Sequence, residues 1–388
     1  MAICLFLSCK NSKKPVCKGN TKLSKTYVLD TISISVPDAQ YNHDALFYYN
    51  NKLYAFDRLN QSIDVFNIEQ KVYLTTFHFA HEGPDQINAA TQIYVHNDDS
   101  IFLANDVNQV FLINGAMKKV NHWNINTRLP DTLSNNIKVY DYTLLAYAKK
   151  EVVNLPFTYN NKSKSFLFRF MPAVGSYRNT SNIKKVFELP VLAEVSVASG
   201  EVIAFHGQFP ARYYASKGFP LDLYPGFTIT ANNDIIIQYQ YNSQLLINKQ
   251  FVCAKSYYSE GAIKVFETNV DLEDGEEMKG FHQDEAYVSI VNDPYNKLVY
   301  RVFQHRQEKR DAQGLMLQKP QSAFSIMAVN YSGDVVGEIT LPGSKLDFFN
   351  IVPTPKGILI SLENSFNYEN KENNYEFLLL KNFEDIPD

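Results

Sequence analysis

One tryptophan, four cysteines and no long apolar run are what this chain of 388 residues offers where other proteins are richer. The cysteines, at 4, 9, 17 and 253, include no C-x-x-C pair, so neither a disulfide framework nor a zinc site is indicated. Beyond the N-terminus no stretch approaches the ~20 apolar residues that a membrane-spanning helix needs. Clustered Lys and Arg are missing outside the first residues and the net charge is −4, so no nucleic-acid partner is expected. Catalytic signatures are scarce as well: there is no G-x-S-x-G elbow, no P-loop and no G-x-G-x-x-G. His81-Glu82 begins like a zincin motif, but Gly83-Pro84 follow and would end a helix rather than hold two ligands on one face. The acidic run Glu273-Asp274-Gly275-Glu276-Glu277 lacks the alternating oxygens of an EF-hand loop and reads as a solvated loop. Neither a metal nor a cofactor is expected on these grounds. Long helical periodicity is missing too, and strands take its place.

Aromatic residues make up 14% of the chain, with 25 Tyr and 27 Phe, as suits pleated sheets packed face to face. Short strands recur with a period of roughly 45 to 60 residues, the signature of a propeller or a solenoid. The clearest copy runs through 45–49, turns at Asn50-Asn51, and continues through 52–57 and 63–66 to 72–77. Four short strands joined by turns make one propeller blade. A second copy covers 93–96, 100–104, 110–113 and 120–123, the last holding the single Trp123. A third begins near Ile137, is interrupted by a polar insertion at 160–164, and ends in a hairpin around Ser199-Gly200. Further copies start at Phe227, Ala286 and Phe348, and the last finishes with 375–380. Residues 27–34 are left without a blade, and a strand from the front of the chain can complete the last one and remove an exposed edge. The expected fold is all-β: a six-bladed β-propeller of four-stranded antiparallel blades, its ring closed by an N-terminal strand. The poorly patterned stretch 149–226 leaves room for a seventh blade.

The chain opens Met1-Ala2-Ile3-Cys4-Leu5-Phe6-Leu7-Ser8-Cys9 and continues Lys10-Asn11-Ser12-Lys13-Lys14. A short apolar run ending in a small residue and then Cys resembles the lipobox of bacterial lipoprotein signal peptides, which implies Cys9 as the lipidated residue. No Lys or Arg precedes the run, and it is shorter than the roughly 7–15 residues of a normal h-region. A start site placed too late in the reading frame would explain both departures. The expected organisation is a signal-peptide-like segment at 1–9, a flexible tether at 10–25 and the propeller at 26–388, with the membrane met only through the lipid. Cys253, in Phe251-Val252-Cys253-Ala254, is expected to be a buried small hydrophobe.

Three stretches carry a family resemblance. Tyr54-Ala55-Phe56-Asp57-Arg58 with Ile63-Asp64-Val65-Phe66 resembles an NHL-like propeller blade, and Glu82-Gly83-Pro84 resembles the corner that links such blades. Asn292-Asp293-Pro294-Tyr295 with Val299-Tyr300-Arg301 resembles a signature of Bacteroidota lipoproteins, six-bladed TolB-like propellers of unknown function. The resemblance spans about residue 26 to the end, and implies a fold and a cell-envelope location rather than a chemistry. Many such lipoproteins carry acidic residues after the lipidated Cys; here Lys10-Asn11-Ser12-Lys13-Lys14 stand there, which favours a periplasm-facing anchor.

Propeller ligands meet the central channel or the loops at one mouth. Arg58, Tyr300, Arg301 and Asp293 are candidates on the expectation that they lie at inner-strand ends, and His81 and Glu82 lie at a blade-linking corner. An Asp–Arg clamp between blades, or a buried Arg paired with Asp293, is the structural counterpart of those readings. Arg212, Tyr213 and Tyr214 sit between Phe209-Pro210 and Phe219-Pro220; aromatics and Arg are enriched where partners bind, though rings can equally pack a loop over the channel. His206 beside them reads as a satisfied core histidine. Two functions follow. One is a monomeric, non-enzymatic binding module for an envelope protein, peptide or glycan. The alternative is a metal-dependent hydrolase or lyase, lactonase-like, drawing on Asn105, Asp106, Asn232, Asp234 and Asp293. The missing catalytic motifs favour binding.

Overall fold

The computed structural model describes residues 29–36, 43–87, 89–105, 107–125, 142–143, 157–169, 171–172, 187, 189–214, 219–220, 225–259, 267–268, 284–308, 322–343, 346–362 and 374–381. The lipobox with Cys9, the tether at 10–25, Asp106 and the acidic run at 273–277 lie outside them.

Six four-stranded antiparallel sheets form six blades, so no seventh is present among the described residues. Blade 1 comprises Ala45–Tyr49, Lys52–Asp57, Ser62–Asn67 and Val72–His78; blade 2 comprises Ala90–Asn97, Ser100–Asn105, Gln109–Ile113 and Lys119–Asn124. Blade 3 comprises Phe157–Asn160, Ser165–Arg169, Leu192–Ser196 and Val202–His206; blade 4 comprises Gly226–Ile229, Ile235–Gln238, Gln244–Ile247 and Gln250–Cys253. Blade 5 comprises Ala286–Asp293, Leu298–Gln304, Phe324–Asn330 and Val335–Leu341. Blade 6 takes Asp347–Thr354, Gly357–Ser361 and Asn374–Lys381 from the end of the chain and Leu29–Ser35 from its beginning. Leu29 pairs with Leu380 and Ser35 with Asn374, so the expected ring-closing strand is in place.

Burial explains the strand patterns. Second and third strands are sandwiched between neighbouring blades, and Leu298–Gln304 is buried at every position, as in any doubly covered strand. The closing strand has one wet face, and only Ile32 and Ile34 of its seven residues are buried. Hydrophobic cores fill each gap around the ring: Ile34, Leu359 and Phe377 of blade 6 meet Leu53 and Phe66 of blade 1, and blades 1 and 2 meet through Phe56, Ile63, Ile101 and Leu103. Inner strands touch in an unbroken circuit from blade 1 to blade 6 and back. Tight turns rely on left-handed backbone, at Asn50 and Asn51 in blade 1 and Gly200 in blade 3, which Asn and Gly adopt at least cost.

Blade 3 departs from expectation. Its inner strand is Phe157–Asn160, and the polar stretch at 160–164 is its first turn rather than an insertion. Asn160 Oδ1 accepts from the Lys162 and Ser163 amides at 3.0 and 3.3 Å, an Asx turn whose polarity mimics a loop insert. Tyr142–Thr143, read as part of that blade, instead pairs with Met171–Pro172 in a separate two-stranded ribbon. A second departure concerns Cys253, which is half-buried on the outer strand of blade 4 and is disulfide-bonded, not a free thiol in the core.

A position repeats through all six blades: the residue that ends the second strand is polar and buried. It is Asp57, Asn105, Arg169, Gln238, Gln304 and Ser361 in turn. Asp57 accepts from the Asn60 amide at 2.9 Å, and Asn105 from those of Val107 and Gln109 at 3.2 and 2.9 Å. Where the chain leaves the sheet inside the ring, a side chain satisfies donors that the ladder no longer serves.

Candidate functional site

A cavity of about 330 Å³ opens in the central channel, on the face that carries the first turn of each blade. All six inner strands contribute to its wall. The volume lies at the lower end of the ~300–1,000 Å³ usual for small-molecule sites. Blade 1 contributes Phe47, Tyr48 and Tyr49, blade 2 Tyr94 and His96, blades 3 and 4 Thr158 and Thr228. Blade 5 contributes Asn292, Pro294 and Tyr295, and blade 6 Phe349 and Asn350. Among the described residues, no Asp, Glu, Lys or Arg lines it.

The rings stand in corners rather than stacks. Tyr48 and Tyr295 meet edge to face with centroids 6.0 Å apart, as do Phe47 and Tyr94 at 6.0 Å, the arrangement favoured by the ring quadrupole. Tyr295 is 44% exposed, yet its backbone is pinned. Asp293 Oδ1 accepts from the Tyr295 amide at 2.9 Å and the Asn296 amide at 3.1 Å. Burial, then the neighbouring Tyr48, Asp293 and Tyr49, push the Tyr295 phenol up to about 12. Burial likewise raises Tyr48. His96 is lowered, first by burial and then by Lys164, so its ring is neutral at pH 7. Tyr331 donates to Asn292 Oδ1 at 2.8 Å, which fixes that carboxamide. Asn350 Nδ2 donates to the His43 carbonyl at 3.1 Å and to Asp347 Oδ2 at 2.9 Å.

Of the residues named from sequence, Asp293 comes nearest the cavity, through the turn it holds; Asn296 Nδ2 and Tyr300 also donate to its Oδ2, at 2.8 and 3.1 Å. Tyr300 and Arg301 lie within the second strand of blade 5, not at the end of an inner strand. The Arg301 guanidinium is fully buried against blade 4. It donates to Gln238 Oε1 at 2.9 Å and to the carbonyls of Ser243, Ala254 and Asn242 at 3.0, 2.6 and 2.6 Å. Its carbon sits 3.3 Å from the centre of the Tyr287 ring, so its neighbour is an aromatic face and not Asp293. Arg58 follows the second strand of blade 1, its amide donating to Asp44 Oδ2 at 2.9 Å and its Nε 3.7 Å from Asp44 Oδ1. His81 and Glu82 are exposed in the corner between blades 1 and 2. A one-turn helix, Ala211–Tyr214, carries Arg212, Tyr213 and Tyr214. Tyr213 is 1% exposed and packs on Phe187, Phe209 and Tyr239. These residues do not converge on one place.

The oxygen donors named for a channel metal are dispersed: Asn105 caps a turn at the end of the second strand of blade 2, while Asn232 and Asp234 lie in the first turn of blade 4. Among the described residues no three His, Cys, Asp or Glu side chains gather as a metal-holding group. His206 pairs with Glu194 at 2.8 Å in blade 3. The cavity residues Tyr48, Tyr94, His96, Asn292, Tyr295 and Asn350 escaped the sequence reading. All but Asn350 share a signal of position, in the C-terminal half of an inner strand or just past it.

The sequence model of a domain of unknown function (DUF4221) matches residues 20–328. The crystal structure of a member of that family from Bacteroides vulgatus ATCC 8482 superposes with a TM-score of 0.73 at 16% identity, covering 92% of this chain and 98% of the other. A candidate exported protein of Bacteroides fragilis NCTC 9343 gives a TM-score of 0.52 at 9% identity, covering 93% and 98%. At such identities the likeness concerns the fold. No curated protein matches the sequence.

Proposed function

This chain belongs to the DUF4221 family of domains of unknown function, and from that premise we propose that it is a non-enzymatic binding module of the cell envelope, taking its ligand in the mouth of the central channel. The observation that carries the reading is the composition of that mouth: aromatic rings, the His96 imidazole, two carboxamides and two threonines, with no Asp, Glu, Lys, Arg, Ser or Cys among the described residues. Such a wall can grip a partner, and among its described residues no threonine hydroxyl is hydrogen-bonded to His96 as an activated nucleophile is to its base. A rigid ring of blades whose channel faces are pre-formed also suits recognition, since little ordering is left to be done on binding. The anchor would be a lipid on Cys9, holding a monomer on the periplasmic side of a membrane. The disulfide at Cys253 supports a location outside the reducing cytosol.

Capture from native envelope extract tests the binding reading, with wild-type protein and Tyr295→Ala side by side. A partner or glycan retained by the wild type and lost by the variant is the expected result. Equal retention by both would move the site away from the channel mouth, and turnover of a lactone or ester by the purified protein would favour the hydrolase instead.

A further inference from the structure

We propose that the ligand of this mouth is a neutral saccharide, one or two rings long; the inference rests on the channel-mouth binding reading and names its ligand class. Charge decides first. A carboxylate or phosphate ligand calls for Arg or Lys, and an amine for a carboxylate, and the described residues of the wall include none of these. The lowered pKa keeps His96 from supplying a cation at neutral pH.

Hydrogen-bonding capacity decides next. Asn292 Oδ1 is occupied by Tyr331, which leaves the Nδ2 donor for a ligand. Asn350 is the reverse: both bonds above come from its Nδ2, and its Oδ1 is left to accept. Thr228 adds a hydroxyl that can do either. A purely apolar ligand would strand these groups without water or partner, at a cost of about 1–3 kcal/mol each. Hydroxyls satisfy both kinds, because each donates one hydrogen bond and accepts others.

Shape decides last. The C–H face of a pyranose ring is apolar and weakly positive, and it packs on the negative face of an aromatic ring. Tyr295 is a large ring left 44% exposed on a backbone that Asp293 holds rigid. It forms one side of an edge-to-face corner with Tyr48 above the cavity. A peptide also carries neutral donors and acceptors, but an extended chain needs a long groove or a free sheet edge, and here six strands enclose about 330 Å³.

The test titrates the full-length protein in detergent by calorimetry with methyl glycosides of glucose, galactose, mannose and N-acetylglucosamine, and with cellobiose and maltose. Glucuronic acid, glucosamine and the capped tripeptide Phe-Pro-Tyr serve as comparisons. At least one neutral sugar should bind with a Kd below about 1 mM. Tyr295→Ala should weaken it about tenfold, and Tyr295→Phe, which keeps the ring, much less. Charged sugars should bind at least tenfold more weakly. Matching melting curves would show that the variants fold, as expected for a turn residue. No binding by any neutral sugar up to about 10 mM, or binding indifferent to Tyr295→Ala, overturns the inference. If the tripeptide binds in a Tyr295-dependent way while the sugars do not, the saccharide falls and the channel mouth stands. If nothing binds and envelope capture is equal for both proteins, both fall.

Discussion

Arg301 shows how far a single side chain can reach between blades. Its fork serves three carbonyls and one carboxamide of blade 4 and its surroundings, and burial pulls its pKa down to about 10, still charged at pH 7. Arg301→Met keeps the bulk but leaves those acceptors unpaired, so a loss of about 3–5 kcal/mol in urea unfolding is expected. Arg301→Lys should rescue little, because an ammonium lacks the planar fork. Glu194 works by charge. His206, and against it burial, then Ser165, set its carboxyl to about 2, below its ordinary 4.5. A depressed carboxylate stabilises the fold above pH 4.5, and that contribution drains away as pH falls from 4.5 through 2. His206→Gln should therefore raise the midpoint of acid unfolding, read by circular dichroism, while a midpoint identical to wild type would deny the pair any role. The sequence flagged Arg301 but put it at the wrong place, since buried first and second strands are apolar runs of similar length. Tyr295 was passed over because Asn-Asp-Pro-Tyr-Asn announces a turn, and a turn signal says nothing of which way its aromatic faces.

At the scale of elements, strands with clean turn chemistry were legible, and blade 1 with its Asn50-Asn51 corner fell where the pattern put it. Blade 3 was not, because its short inner strand, Phe157–Asn160, runs into a turn polar enough to pass for an insertion. The closing strand was legible through its surplus: a strand with no blade must belong to an incomplete one. Its grip depends on Ile34, which is fully buried among Val352, Tyr375 and Phe377. Ile34→Asp buries a carboxylate there without a partner and should cost more than about 3 kcal/mol. Detachment exposes the edge of Asn374–Lys381, so self-association in size-exclusion chromatography should accompany the lower melting temperature. A monomeric variant of unchanged stability would show that blade 6 holds without its fourth strand.

As a whole molecule the protein is a closed circuit, and that much followed from repetition. The proposed channel site did not, because its wall assembles from a few residues of each blade, too scattered to form a local motif. The proposed anchor is testable at this scale. Cys9→Ala should shift the protein from the membrane to the soluble fraction with its melting temperature unchanged, and continued membrane association would sink the lipid anchor.

Blade 6 also sets an order of events. Its fourth strand precedes the other five blades in the sequence and its third follows them, since Leu29 must find Leu380. At a synthesis rate of about 5–20 residues per second, the early strand waits tens of seconds while five blades are built behind it. Contacts of such span are the slowest to form. Folding of this ring is thus timed by the synthesis of its sixth blade, and any nascent molecule stalled short of Tyr375 carries an open edge that it has no means of closing.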